Sequence, residues 1–145
     1  MKLRRTTILQ VIETKLTRDI MPLLSDDFAH NDLRMAASLL AIDRMERENA
    51  VALQVEEHER LRALFADAAA IVDDAALRER LQAAASGRTA NFRLSALEAE
   101  TGALRGLLVA LHEHVEARGD PASREMDQAI WRAIRDTERS RNPAS

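Results

Sequence analysis

Residues 108–121, LVALHEHVEARGDP, gather two of the chain's four histidines, two glutamates and an aspartate within ten positions. Imidazoles and carboxylates ligate metals and move protons near neutral pH, so this stretch is where chemistry would first be sought. Helical geometry limits it at once. Residues two apart on a helix point about 200° away from each other, so His112 and His114 cannot hold one metal from an intact helix. His112 and Glu116, four apart, do share a face.

That HxxxE pair looks like one fragment of the hemerythrin iron pattern, which also needs HxxxH and histidines on further helices. The chain has neither. A ferritin-like di-iron site needs two Glu-x-x-His pairs, and no histidine here follows a glutamate by three positions. No metal and no cofactor are therefore expected. The stretch is read as the polar end of a helix, with His112, His114 and Arg118 set to complement its last carbonyls.

Three further clusters have the residue types for a site. In VEEHER (Val55 to Arg60), Glu56 and Arg60 sit at i,i+4, and a solvated face accounts for the run. In SDDFAHND, Asp26 and His30 lie one turn apart. A hydrolase would also need a positioned nucleophile and oxyanion donors, so capping is the expectation there. Arg34, Arg44 and Arg47 with Glu48 are the types with which a small helical enzyme such as chorismate mutase holds a dianion. No matching motif is present, and pairing of Asp43 with Arg47 and of Arg44 with Glu48 explains them. No catalytic residue is assigned.

The elements that must position these residues are helices. Apolar residues make up 46% of the 145 and charged residues 31%, with four glycines, three prolines and no cysteine. Alanine, leucine, arginine and glutamate dominate, all strong helix formers, and the alternation typical of strands is missing. Without cysteine there are no disulfides, thiol nucleophiles or cysteine-held metals. A net charge of −3 argues against a general nucleic-acid binder. Glu13 and Lys15 cut off the apolar run behind the basic start, so no signal peptide is expected. No stretch approaches the roughly 20 apolar residues that span a bilayer. A cytoplasmic setting without membrane attachment is the expectation.

Along the chain, helix one is expected from about Thr7 to Met21, with Ile8, Ile12, Leu16 and Ile20 as its stripe and Pro22 ending it. Ser25 is the expected cap of helix two, whose stripe is Met35, Leu39, Ile42 and Met45. No glycine or proline falls between Asp27 and Asp73. Either the chain turns or kinks near Asn49, or one helix of about 45 residues continues; such lengths are rare in small domains, and the turn is expected. Leu61, Leu64, Phe65, Ala68 and Ile71 give another stripe. Asp73 or Asp74 caps a short helix ending near Ser86-Gly87. Leu94, Leu97, Thr101, Leu104, Leu108, Leu111 and Val115 then form a heptad-like seam. Gly102 and Gly106 within it allow a close backbone approach. Gly119-Asp120-Pro121 ends that helix and starts the last, which carries Met126, Ile130, Trp131 and Ile134 and frays from about residue 138.

The run TRDIMPLLSDDFAHNDLRMAASLLAIDRMERENAVALQVEEHERLRALF (Thr17 to Phe65) resembles, in layout, a group of uncharacterised bacterial helical proteins. These are encoded beside aminoglycoside-phosphotransferase-like kinases and acyl-CoA dehydrogenases. The shared features are a helix ending in MPLL, the apolar RMAASLLAIDRMERE and the acidic EEHERLRALF. The resemblance covers about a third of the chain and brings no catalytic residue with it. It implies an accessory or interaction role near acyl-group or phosphoryl-transfer enzymes.

The expected protein is all-α: a single domain over residues 1–145, a mostly antiparallel bundle of about five or six helices. Its expected role is association with a protein partner or with itself, as an interaction or accessory subunit. The alternatives are a bundle that binds an apolar or anionic small molecule and, behind it, a small helical enzyme. Candidate interaction residues are Trp131, Leu104, Leu108 and Leu111, although Trp131 fits a bundle core better than an anchor and the seam fits an internal contact equally well.

Overall fold

A chain this rich in helix formers leaves few ways to arrange its backbone. The computed structural model describes residues 5–142, and their side chains from Ile8 onward. The described residues are 87% helical, and among them there is no strand. The α-helices are α1 (Arg5–Thr14), α2 (Asp27–Ala69), α3 (Ala75–Ser86), α4 (Leu94–Arg118) and α5 (Pro121–Arg141). No helix among them is long and apolar enough to cross a membrane. The all-α bundle expected from the sequence is the one observed.

The helix boundaries follow local chemistry. After Thr14, α1 widens into a π-helical stretch, Lys15–Ile20, whose end is marked by Met21 N–H donating to Leu16 O, five residues back. Pro22 follows, and its ring lacks the N–H that an α-helix would require. The Thr17 hydroxyl also donates to Glu13 O at 2.9 Å, drawing that carbonyl away from the ladder. Asp26, not Ser25, caps α2 by accepting the Ala29 N–H at 2.9 Å. Asp74 caps α3 through Leu77 N–H, and Asp120 caps α5 through Ser123 N–H, with Pro121 in the first turn. Gly119 at φ 66° ends α4 in the left-handed region, where a side chain is disfavoured. At Gly87 an added Cβ would lie 2.6 Å from the Arg62 guanidinium, which would have to shift to admit a side chain.

The expected turn near Asn49 is absent. α2 runs unbroken for 43 residues. Nothing between Asp27 and Ala69 can stop it, since neither glycine nor proline occurs there and the helix propensity is high. The chain nevertheless forms two compact units, residues 1–50 and 51–145, and α2 is continuous across their junction.

The second unit has a core of its own. Leu61, Leu64, Phe65 and Ala68 from the end of α2, with Val72 just beyond it, meet Leu77 and Leu81 of α3, Leu104, Leu107, Leu108, Leu111 and Val115 of α4, and Met126, Ile130 and Ala133 of α5. The α4 seam is therefore internal, except that Leu94 at its start is exposed. α5 continues as helix to Arg141 instead of fraying near 138. Thr137 and Ser140 take hydrogen bonds from Arg60 of α2, at 2.8 and 3.5 Å.

The first unit is built differently. α1 and the start of α2 are joined by an ion pair, Arg44 to Glu13 at 3.4 Å. Leu33, Leu40 and Ala41 are half-buried on the face of α2 that carries Arg44. Only Ala37 of this unit's described apolar residues is fully buried.

Gly102 and Gly106 do not admit a neighbouring backbone: a Cβ built on either meets nothing within 4 Å. Glycine in an open helix interior costs backbone entropy without gain. Gly102→Ala and Gly106→Ala should each raise stability by about 0.5–1 kcal/mol in urea unfolding. Destabilisation by either would show that something occupies that surface.

Candidate functional site

Polar side chains sealed in an apolar interior mark either a structural tie or a reactive centre. The second unit contains one such cluster. Glu57 is 3% exposed and His58 0%, so VEEHER is not the solvated face that its charges suggest. Glu57 accepts Arg105 Nε and Nη2 at 2.6 and 3.0 Å and Arg141 Nη2 at 2.7 Å. One buried carboxylate thus joins α2 to α4 and α5. Hydrogen bonding to Glu57 raises the Arg105 guanidinium above its ordinary value. Arg60 turns to Thr137 and Ser140 instead of pairing with Glu56.

His58 is enclosed on both ring nitrogens. Nε2 lies 2.7 Å from Thr101 Oγ1, while Nδ1 lies 3.1 Å from Thr89 Oγ1 and 3.5 Å from Glu100 Oε2. Glu100 is also held by Arg62. Thr101, His58 and Glu100 thus stand in the order nucleophile, base and orienting acid. The hydrogen-bond pattern argues against that chemistry. Thr101 Oγ1 lies 2.9 Å from two acceptors, Leu97 O and Gln54 Oε1, which compete for its single proton. The ring thus meets a partner on each side, Thr101 at Nε2 and Thr89 at Nδ1, and the Thr89 hydroxyl also reaches Glu100 Oε1 at 3.4 Å. Around Thr101 the backbone N–H groups belong to the interior of α4 and are spent on its ladder, so they form no oxyanion hole. The cluster is a tie between helices.

The histidines that first suggested a site are separated as their spacing requires. His112 Nε2 lies 2.9 Å from Asp127 Oδ1 on α5, and its ring stands edge-on to Trp131 at 5.6 Å. His114 Nε2 lies 3.2 Å from Asp73 Oδ1, in the α2–α3 connection. Arg118 binds Asp73 and Asp120. Arg118 holds both carboxyls below the usual carboxylate range, with Ser123 adding to the effect on Asp120. These side chains reach carboxylates on neighbouring elements, which corrects the expectation that they complement their own helix's carbonyls. Among the described residues, no group of three or more His, Cys, Asp and Glu side chains could hold a metal.

The arginines read as a dianion clamp go to separate partners. Arg34 donates to Asn31 at 2.9 Å, Arg44 meets Glu13 and not Glu48, and Arg47 pairs with Asp43 at 2.7 Å. Asp26 is spent on capping α2 through the Ala29 N–H, and among the described residues no hydrogen bond or ion pair joins its side chain to that of His30. Leu104, Leu108 and Leu111, the candidate interaction residues of α4, are buried in the chain's own core. Trp131 is 55% exposed: it does not close the core, and it remains accessible beside His112. Two surface clefts adjoin the polar cluster. One, of about 270 Å³, is lined by Glu57, Leu61, Arg105 and Ala133 among others, and the second, of about 280 Å³, by Gln54, Thr101, Arg105 and Arg141. Both fall below the roughly 300–1,000 Å³ of typical ligand pockets.

A row of exposed apolar side chains lies on the first unit. Phe28, Met35, Leu39, Ile42 and Met45 are all more than half exposed. At 100° per residue, the first four fall within about 60° of one another, on the side of α2 opposite Ala37 and Arg44. Met35, Leu39, Ile42 and Met45, the stripe expected for this helix from the sequence, are thus exposed. α1 adds Ile8, Val11 and Ile12, also exposed.

No protein-family description, curated protein or solved structure matches the chain.

The side-chain exposures decide how the Glu57 tie should respond to mutation. Arg105 and Arg141 are 46% and 36% exposed against 3% for Glu57, so either arginine can be hydrated alone whereas the carboxylate cannot. Glu57→Gln should cost about 1–2 kcal/mol. The double change Arg105→Met with Arg141→Met leaves a buried charge unpaired and should cost about 3 kcal/mol or more. Urea unfolding of the two variants tests the order, and the reverse order would show that the carboxylate is hydrated.

Proposed function

We propose that the chain is a protein–protein association module that docks a partner along the outward face of α2 between Phe28 and Met45. One observation carries this: four large apolar residues at helical spacing lie opposite the face of α2 that carries Arg44 and Ala37. Single exposed apolar side chains are ordinary, but a contiguous row marks an interaction surface. The competing ligand-binding and enzymatic readings have less support. The clefts are small, and the polar groups beside them are engaged with one another. An accessory subunit, as the resemblance of Thr17–Phe65 implies, is an assembly of this kind, and the cytoplasmic setting remains part of the proposal.

Substitution separates docking from core packing. Leu39→Glu should change the stability of the free chain by no more than about 0.5 kcal/mol, as for other exposed positions. A photo-crosslinking side chain placed at Met35 should form a discrete adduct in cells that Leu39→Glu abolishes. A loss of several kcal/mol would make Leu39 a core residue. Adducts indifferent to Leu39→Glu would remove the stripe as a docking surface.

A further inference from the structure

The stripe has a charge pattern that selects among occupants. In heptad terms, one of its rows is Phe28, Met35 and Ile42, and the other is Asp32, Leu39 and Glu46. Two carboxylates therefore sit in line with the apolar residues, one on each side of Leu39. Both residues are exposed, and among the described residues no ion pair engages either of them. The other charges nearby are occupied, Asp43 by Arg47 and Arg34 by the Asn31 amide.

A second copy of this chain fits the pattern badly. Paired in parallel, it sets Asp32 against Asp32 and Glu46 against Glu46. Paired antiparallel about Leu39, it sets Asp32 against Glu46 at both ends. Shifting the register presses the carboxylates onto Phe28 or Ile42. Each arrangement dries like charges against each other or leaves a buried charge unpaired. Anionic membrane surfaces are disfavoured for the same reason.

Resting on the docking function proposed above, we propose that the occupant is a cationic amphipathic helix of another protein. Its apolar seam lies on Met35, Leu39 and Ile42. Two lysines or arginines, two heptads apart, meet Asp32 and Glu46. Two heptads are about 21 Å along a helix, which fixes the partner's charge spacing as well as its sign. Apolar contact supplies the attraction, and the two carboxylates supply register and selectivity.

A fluorescently labelled 21-residue peptide tests this on the full chain. It carries leucine at the seam positions and lysine at two seam positions fourteen apart; its counterpart carries glutamate at those two. The lysine peptide is expected to bind at least tenfold more tightly in fluorescence anisotropy at low salt, with the gap closing as salt rises. Asp32→Asn with Glu46→Gln should erase the preference. Glu79→Gln with Glu125→Gln, an equal charge change on exposed residues of the second unit, should leave it intact. Leu39→Glu should abolish binding of both peptides. Equal affinity for the two peptides, or a preference untouched by the Asp32 and Glu46 changes, overturns the cationic partner and leaves docking standing. A wild-type mass twice that of the chain, reduced to monomer by Leu39→Glu, assigns the stripe to a second copy and also overturns it. A monomer that binds neither peptide defeats the docking function itself.

Discussion

Nothing between Asp27 and Ala69 can stop a helix, and most of the molecule's character follows from that continuity. α2 carries two amphipathic patterns in succession along one continuous helix. Beyond residue 51 its apolar face, Leu61, Leu64, Phe65 and Ala68, is buried in a core shared with three other helices. Before residue 50 its corresponding face is bare. A helix draws most of its stability from the burial of such a face and little from propensity. The two halves of one uninterrupted element therefore differ in how much holds them in place.

The second unit solves a packing problem with polar groups. Glu57 and His58 interrupt the apolar run of α2 where it meets α4 and α5, and each is supplied with partners from other helices. Arg105 and Arg141 converge on one carboxylate, and Thr89, Thr101 and Glu100 enclose one imidazole. Such a network admits few alternative registers, because sliding any helix by a turn would leave a buried charge without its cation. Its value lies in specifying the arrangement of helices. The same commitments leave no free base, nucleophile or oxyanion site within it.

Much of this organisation was legible in the sequence, for reasons that differ between elements. The α4 seam and the Gly119-Asp120-Pro121 junction were readable because helical periodicity and capping are local properties. The continuity of α2 was masked by QVEEHER, whose polarity resembles a loop when its partners are unseen. A signal did exist: Gln54, Glu57, His58 and Leu61 keep the same helical phase as Leu64, Phe65 and Ala68, so the polar residues occupy core positions. Arg105 and Arg141 could not be found this way, since their pairing spans 48 and 84 positions of sequence. Met35, Leu39 and Ile42 illustrate the opposite limit. Periodicity identifies an apolar face, but it does not say whether the chain itself covers that face.

Native-state amide hydrogen exchange along α2 tests the central claim most directly, because it reads how firmly each turn is held. Amides from Gln54 to Ala68 should exchange only at the rate of global unfolding. Those from Asn31 to Glu46, lacking a covering partner, should exchange through local opening, at least tenfold faster. Uniform protection from Asn31 to Ala68 would contradict the account, for it would mean that the outward stripe is already buried in the free chain.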